Sequence, residues 1–244
     1  MKSIVKAVLR NTPYRIVRDR GFNRFNAVDD QLLQLKRKGY EPLVVIDGGA
    51  HLGTFSMSAR KLWPEAAFHL VEPQASCTGH LRSLCDANGF ALHSGALVDA
   101  ESGRPGTVRF TATETPNTGA QVVFDGMILE HGLTEVPAIT LDGLFAGKLR
   151  KSERAFLKLD LQGSELAALK GGTAALASIE VILAEVSVWF SPSAVDIMCY
   201  LRDMNFEWYD VAALNGRTRD NRLCQGDFVF VRADSNLAAD RSWE

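Results

Sequence analysis

No apolar run in this 244-residue chain is long enough to span a bilayer, and no secretory leader is evident, so a cytoplasmic location is expected. Cysteine is scarce. Cys77, Cys85, Cys199 and Cys224 contain no C-x-x-C pair, which argues against a disulfide framework or a zinc site and for reduced thiols. An excess of either charge is also missing. With 27 Lys and Arg against 29 Asp and Glu, the net charge is −2, and a nucleic-acid partner is not indicated. Internal repeats and low-complexity segments are absent, and no set of His and carboxylates has metal-ligand spacing, so no metal is expected. What remains is a chain with 46% hydrophobic residues, enough to bury a full core as one α/β domain.

The organising stretch is Leu43-Val44-Val45-Ile46-Asp47-Gly48-Gly49-Ala50-His51-Leu52-Gly53. Its apolar opening reads as a buried parallel strand. Three glycines around Ala50 then form a turn, and Thr54-Phe55-Ser56-Met57 resumes as a helix. Glycines let backbone approach a ligand, and the helix N-terminus offers free N–H groups. Asp47 is expected at the mouth of this turn, where a carboxylate suits a cationic or hydroxyl-bearing ligand better than a phosphate. Gly49 is expected to keep open the space the ligand occupies.

The pattern repeats. Residues 67–71 form a second strand ending in Glu72-Pro73, and an acid about 20 residues past such glycines takes ribose hydroxyls in dinucleotide-binding folds. A helix over residues 76–88 stops at Gly89. A third strand covers residues 90–97, its small end (Ala96, Leu97) leaving room for a flat adenine. Residues 103–140 read as an inserted β-hairpin beside a mostly parallel sheet, with strands at 107–112 and from Val136 into a short helix. The fourth strand ends in Leu157-Lys158-Leu159-Asp160, and a helix follows from Gly163. The fifth, residues 179–186, carries Glu185. Alternation puts Lys158 and Asp160 on one face, so a plain structural ion pair is one reading of both. A helix over 191–205, entered at Ser191-Pro192, precedes a final antiparallel pair at 208–211 and 227–231. Trp189 and Phe190 are either core aromatics or a wall of a substrate pocket.

The N-terminus is set apart. Lys2, Lys6, Arg10, Arg15, Arg18, Arg20 and Arg24 face a single acid, Asp19, which reads either as a solvated cap or as a weak membrane-surface or acidic-substrate contact. A helix follows over 29–38.

Asp47, Glu72, Asp160 and Glu185 thus all fall at or near the carboxyl ends of parallel strands, where open α/β sheets bind ligands. Four acids suit a ligand with a sulfonium, an ammonium and ribose hydroxyls, and would repel a pyrophosphate. S-adenosylmethionine is therefore preferred over NAD. The turn also lacks a full G-x-G-x-x-G, with Ala50 at the middle glycine position.

Asp47-Gly48-Gly49-Ala50-His51-Leu52-Gly53-Thr54-Phe55-Ser56 resembles the first motif of FkbM-type methyltransferases. Val71-Glu72-Pro73, Val136-Pro137-Ala138-Ile139-Thr140-Leu141-Asp142 and Leu157-Lys158-Leu159-Asp160-Leu161-Gln162-Gly163-Ser164-Glu165 are similar to its later blocks, in order, within about residues 44–231. His51 stands where the family often has Asn, and Gln162 where it usually has Glu. The resemblance implies the class I, Rossmann-like methyltransferase fold, a three-layer sandwich; the domain is expected over residues 41–244, behind an N-terminal helical cap at 1–40. It also implies S-adenosylmethionine as methyl donor and O-methylation of a sugar, glycan or polyketide hydroxyl. The residues expected to hold the cofactor are Asp47, Gly48, Gly49, Ala50, Gly53, Phe55, Glu72, Pro73, Ala96, Leu97 and Asp160. Asp160 and Glu185 are the candidate bases, with Lys158 orienting either. An NAD-dependent oxidoreductase and a non-catalytic binding module are the alternatives.

Overall fold

A computed structural model describes residues 28–103, 106–111, 114–124 and 132–242. The basic N-terminal segment read above lies outside the described residues. In chain order the elements are α1 (Val28–Arg37), β1 (Val44–Gly48), α2 (Thr54–Leu62), β2 (Ala67–Val71), α3 (Ala75–Asn88), β3 (Ala91–His93), β4 (Ala96–Leu97), β5 (Thr107–Thr111) and β6 (Leu133–Ile139). They continue as α4 (Leu141–Phe145), β7 (Ala155–Leu159), α5 (Glu165–Lys170), β8 (Ile179–Ser187), α6 (Ala194–Asp203), β9 (Phe206–Arg217) and β10 (Leu223–Arg232).

Seven strands form one sheet in the order β3-β2-β1-β7-β8-β10-β9. From β3 to β8 all neighbours are parallel, while β10 runs antiparallel to both β8 and β9. The order reverses between β1 and β7, which makes the carboxyl ends of these two strands the switch point where such sheets bind ligands. The parallel strands are short β-branched and apolar runs because both of their faces are covered. One face packs Ile46, Leu157, Leu159 and Ile182 under α4, α5 and α6; the other packs Val45, Phe156, Val181 and Val229 under α1, α2 and α3. Leu32 and Leu35 place α1 in that second core, against Tyr40 and Trp63.

The local signals behave as their chemistry requires. The first turn of α1 carries Asp29 and Asp30 and its last turn Lys36 and Arg37, both favourable to the helix dipole. Gly89 ends α3 in the left-handed region at φ 70°.

Three expectations are corrected. The strand expected at 90–97 breaks at Ser94-Gly95 into β3 and β4, and β4 leaves the main sheet to pair in parallel with β6. Gly95 permits this because a Cβ there would come within 2.5 Å of Ile139 Cδ1. The insertion is accordingly more than a hairpin: β5 and β6 pair antiparallel, and β4 joins them in a three-stranded sheet. The helix expected from Ser191 starts three residues later. Ser193 caps it, accepting from Asp196 N while the Asp196 carboxylate accepts from Ser193 N at 2.7 Å, so the capping box sets the start.

Candidate active site

Register places a polar row on the α1–α2–α3 face of the sheet. Asp47 on β1 pairs with Lys158 on β7, Lys158 with Leu183 on β8, and Glu185 with Asp227 on β10. Strand alternation then gives one rule for the face: each strand is apolar where helices cover it and polar towards the switch point.

Asp47 lies deeper than expected. β1 runs on through Gly48, so the Asp47 carboxylate is inside the strand and 0% exposed. Ser56 Oγ donates to Asp47 Oδ2 at 2.7 Å and Lys158 Nζ lies 3.2 Å from Oδ1. Lys158 also donates to the Gly49 carbonyl at 2.8 Å and lies 3.5 Å from Asp160 Oδ2. Burial alone would lower the Lys158 pKa, but the Asp47 and Asp160 charges outweigh it and hold it above the ordinary value. Its nearest carboxylate is therefore Asp47, not the Asp160 expected from alternation along one strand. This ammonium ties the glycine turn to strands β1 and β7.

Glu72, at the tip of β2, is 4% exposed. Its two oxygens accept from His51 N at 2.7 Å and Gln74 N at 2.9 Å. The glycine turn and the β2–α3 turn thus hold one carboxylate between them.

The segment after β7 is set by Glu165, whose carboxylate accepts from Leu161 N at 2.7 Å and Gly163 N at 3.0 Å. Burial pushes Glu165 up to about 7, against the pull of these N–H groups. The tight loop holds Gln162 at φ 55° and aims its amide inwards. Gln162 Nε2 donates to Asp160 Oδ1 and to Glu185 Oε2, each at 2.8 Å, and Gln225 Nε2 donates to Glu185 Oε1 at 2.7 Å. Burial, then the neighbouring charges of Asp160 and Asp227, push Glu185 up to about 8. Asp227 is raised for the same first reason, burial.

A cavity of about 280 Å³ opens at the switch point, close to the lower end of the ~300–1,000 Å³ usual for small-molecule sites. Of the residues expected to hold the cofactor, Gly49, Glu72, Pro73, Ala96, Leu97 and Asp160 line it, as does Glu185. Ala50, Phe55 and Lys158 instead line a second cavity of about 390 Å³ beside it. Gly48, at the end of β1, and Gly53, in the turn, are buried. Gly49, at φ 73°, lines the cavity with its backbone, and a Cβ there would meet the chain first, 1.9 Å from the Asp160 carbonyl oxygen.

Several lining residues escaped the sequence reading. Asp227 opens the strand expected at 227–231 and Gln225 lies before it, yet their alternation, followed by Val229 and Val231 in the core, is the available signal. Gln162 and His51 stood out only as departures from a motif. Nothing local marks Asn215, Thr118 or Ser164 as facing these cavities.

Together the sheet order and a switch-point cavity under a glycine turn define a class I, Rossmann-like methyltransferase fold. A family model described as "Methyltransferase FkbM domain" matches residues 47–208, and the chain belongs to this methyltransferase family. Among solved structures it is similar to a methyltransferase FkbM from Methylobacillus flagellatus KT, at 15% identity and a TM-score of 0.50, over 78% of this chain and 43% of that one. The chain therefore spans less than half the length of that relative. It is also similar to a precorrin-6y C5,15-methyltransferase from Geobacter metallireducens GS-15 (14% identity, TM-score 0.45, 84% of this chain and 87% of that one). A third similar structure is a 1,6-didemethyltoxoflavin-N1-methyltransferase from Burkholderia thailandensis with bound S-adenosylhomocysteine (10% identity, TM-score 0.42, 83% of this chain and 76% of that one). No curated protein matches the chain.

Proposed function

We propose that this chain is an S-adenosylmethionine-dependent O-methyltransferase acting on a hydroxyl of a sugar, glycan or polyketide-type small molecule. The observation that carries the reading is Glu72. It is a buried carboxylate, fixed at both oxygens by backbone N–H groups, that lines the switch-point cavity. A carboxylate so held keeps lone pairs for two vicinal hydroxyls.

The rest of the lining fits the same cofactor. His51 and Ser164 line this cavity, and their Nε2 and Oγ atoms are buried without a hydrogen-bond partner among the described residues, which suits a ligand rich in polar groups. Glu72 and Asp160 oppose a pyrophosphate, and the nearby Lys158 is already engaged by Asp47, Asp160 and the Gly49 carbonyl. That balance favours S-adenosylmethionine over NAD. When bound, the cofactor supplies an electrophilic methyl group.

Glu185 takes the acceptor's proton in this reading, because a carboxyl raised to about 8 is matched to a base working near neutrality. Asp160 and Gln162 hold it in place, and Lys158 anchors Asp160. Alignment of acceptor and donor supplies much of the remaining rate. Thermal melting with S-adenosylhomocysteine and with NAD tests the cofactor, since a ligand that binds only the folded state raises the melting temperature. A shift with NAD alone would sink the proposal. Methyl transfer to a panel of glycans and polyketides then separates an enzyme from a binding module.

A further inference from the structure

The second cavity shares Gly49, His51, Thr118, Asp160 and Glu185 with the first, so the two meet at the candidate base. Three distant parts of the chain close it: Val28 and Asp29 at the start of α1, Phe55 and Ser58 on α2, and Asn215 and Asp227 on β9 and β10. Of these, only Phe55 is among the residues expected to hold the cofactor.

Its lining is divided. On one side Phe55 stacks on Phe156, with ring centroids 5.9 Å apart and planes 26° apart, beside Val28 and Leu183. On the other, Asp227 sits opposite Glu185 in the β10–β8 register and accepts from Asn215 Nδ2 at 2.7 Å. His51 lines both cavities, and its Nε2 is buried without a hydrogen-bond partner among the described residues. An apolar wall facing a few fixed hydrogen-bonding groups suits a ring with one apolar face and hydroxyls at its edge. Charge narrows the choice. Asp29, Asp160 and Asp227 line the cavity around Glu185, while Lys158, the only Lys or Arg among its described lining residues, already has Asp47 and Asp160 beside it.

We propose that the second cavity is the acceptor subsite and that it takes an uncharged or amine-bearing polyhydroxyl ring while rejecting anionic ones. Asp227 and Asn215 grip hydroxyls away from the one presented to Glu185, and Phe55 lies against the apolar face of the ring. The inference rests on the methyltransferase reading above and adds the pocket, its residues and its charge preference. Rejection of like charge is the discriminating element, as it is in other selective sites.

The test uses the whole chain with S-adenosylhomocysteine, whose affinity is measured first by calorimetry. Saturation-transfer NMR then follows methyl glucoside, methyl glucosaminide and methyl glucuronide as probes. The expected result is binding of the first two and glucuronide binding weaker by about tenfold or more. Ser58→Trp fills the cavity and should abolish glycoside binding. Asp227→Asn should weaken glycoside binding by about tenfold. Both variants should bind S-adenosylhomocysteine as the parent does. Asp29→Lys, at an exposed helix start, needs no core change and should improve glucuronide binding.

Failure of the parent to bind S-adenosylhomocysteine would overturn the cofactor reading and this one with it. Binding of S-adenosylhomocysteine with no glycoside binding, with glucuronide preferred, or with Ser58→Trp binding glycosides normally would overturn the subsite alone. If Ser58→Trp does not fold, unchanged glycoside selectivity in both Asp227→Asn and Asp29→Lys overturns it equally.

Discussion

Lys158 on β7 and Asp47 on β1 are partners in the parallel register, and their charged groups meet at 3.2 Å beneath the glycine turn. Neither is free to act alone, because Asp47 is 0% and Lys158 8% exposed. Removing one partner leaves the other charge buried and unpaired. Lys158→Met is therefore expected to cost roughly 3–5 kcal/mol in urea unfolding. Replacing both charges, as Asp47→Leu with Lys158→Met, should recover much of that loss in a double-mutant cycle. Additive losses would show that the pair is not coupled.

Glu72 gives the direct test of the cofactor site. Glu72→Ala removes a charged acceptor and frees the His51 and Gln74 N–H groups it holds. Affinity for S-adenosylhomocysteine should fall by about 1.5–3 kcal/mol, read by calorimetry. Glu72→Gln, which keeps one acceptor oxygen, should fall less. A folded Glu72→Ala with parental affinity would remove the ribose assignment.

The parts of the fold that were legible share one cause. β1, β2, β7 and β8 are covered on both faces, so their apolar runs are nearly continuous and end in the acids seen in the sequence. Glu72 and Glu185 line the cavity because strand ends at a switch point are brought together by the topology. Asp47 was misplaced because one further residue of strand, Gly48, decides whether a carboxylate faces a ligand or the sheet interior. The bridge from Gln162 to Glu185 joins residues 23 apart through a loop whose shape Glu165 sets, and no periodicity records that. The division of β3 from β4 depended on how closely Gly95 could approach Ile139, which is likewise a tertiary property.

Gly49 illustrates the difference between a turn that serves a ligand and one that serves the chain. Gly49→Ala must adopt φ 73° and place a methyl 1.9 Å from the Asp160 carbonyl, so β1 and the start of the 160–165 loop have to part. A stability loss is expected first, with cofactor affinity lost because its cradle has moved. Chemical denaturation of Gly49→Ala beside the parent checks this. Normal stability with lost affinity would instead support the ligand-space role.

His69 and His93 face each other across β2 and β3, Nδ1 to Nε2 at 3.1 Å, with ring planes 12° apart. Burial lowers both pKa values, helped by His93 at His69 and by Lys148 at His93. The unfolded chain then binds protons before the folded one does. Stability from this pair is present above about pH 6.5 and is lost as pH falls below it. Glu165 and Glu185 act in the opposite sense, because their raised values make the folded state the better proton binder up to about 7 and about 8. The histidine contribution is therefore read as a difference. Between pH 8 and 5.5, the parent should lose more melting temperature than a His69→Gln, His93→Gln double variant. Parallel curves would show that the pair is not titrating.

Asp160 and Glu185 are bridged by one amide, yet they face different surroundings, and that separates their roles. Asp160 is 39% exposed at its side chain and lies 3.5 Å from the Lys158 ammonium. Glu185 accepts from two amides but is buried beside Asp160 and Asp227, which push it up to about 8. A base of that kind is protonated at low pH, so the rate of methyl transfer should rise with pH and level off above about 8. Glu185→Gln should remove this rise and cut the rate by ~10²–10⁴, with S-adenosylhomocysteine affinity nearly unchanged. Asp160→Asn should lower the melting temperature by weakening the hold on Lys158, and should keep the rise of the pH profile but move it to lower pH, because the Asp160 charge that helps push Glu185 up is gone. Single-turnover transfer from pH 6 to 9 and melting curves, taken on the same preparations, decide between the two carboxylates. If Asp160→Asn flattens the profile and Glu185→Gln does not, the proton goes to Asp160, and Glu185 is the residue that positions it.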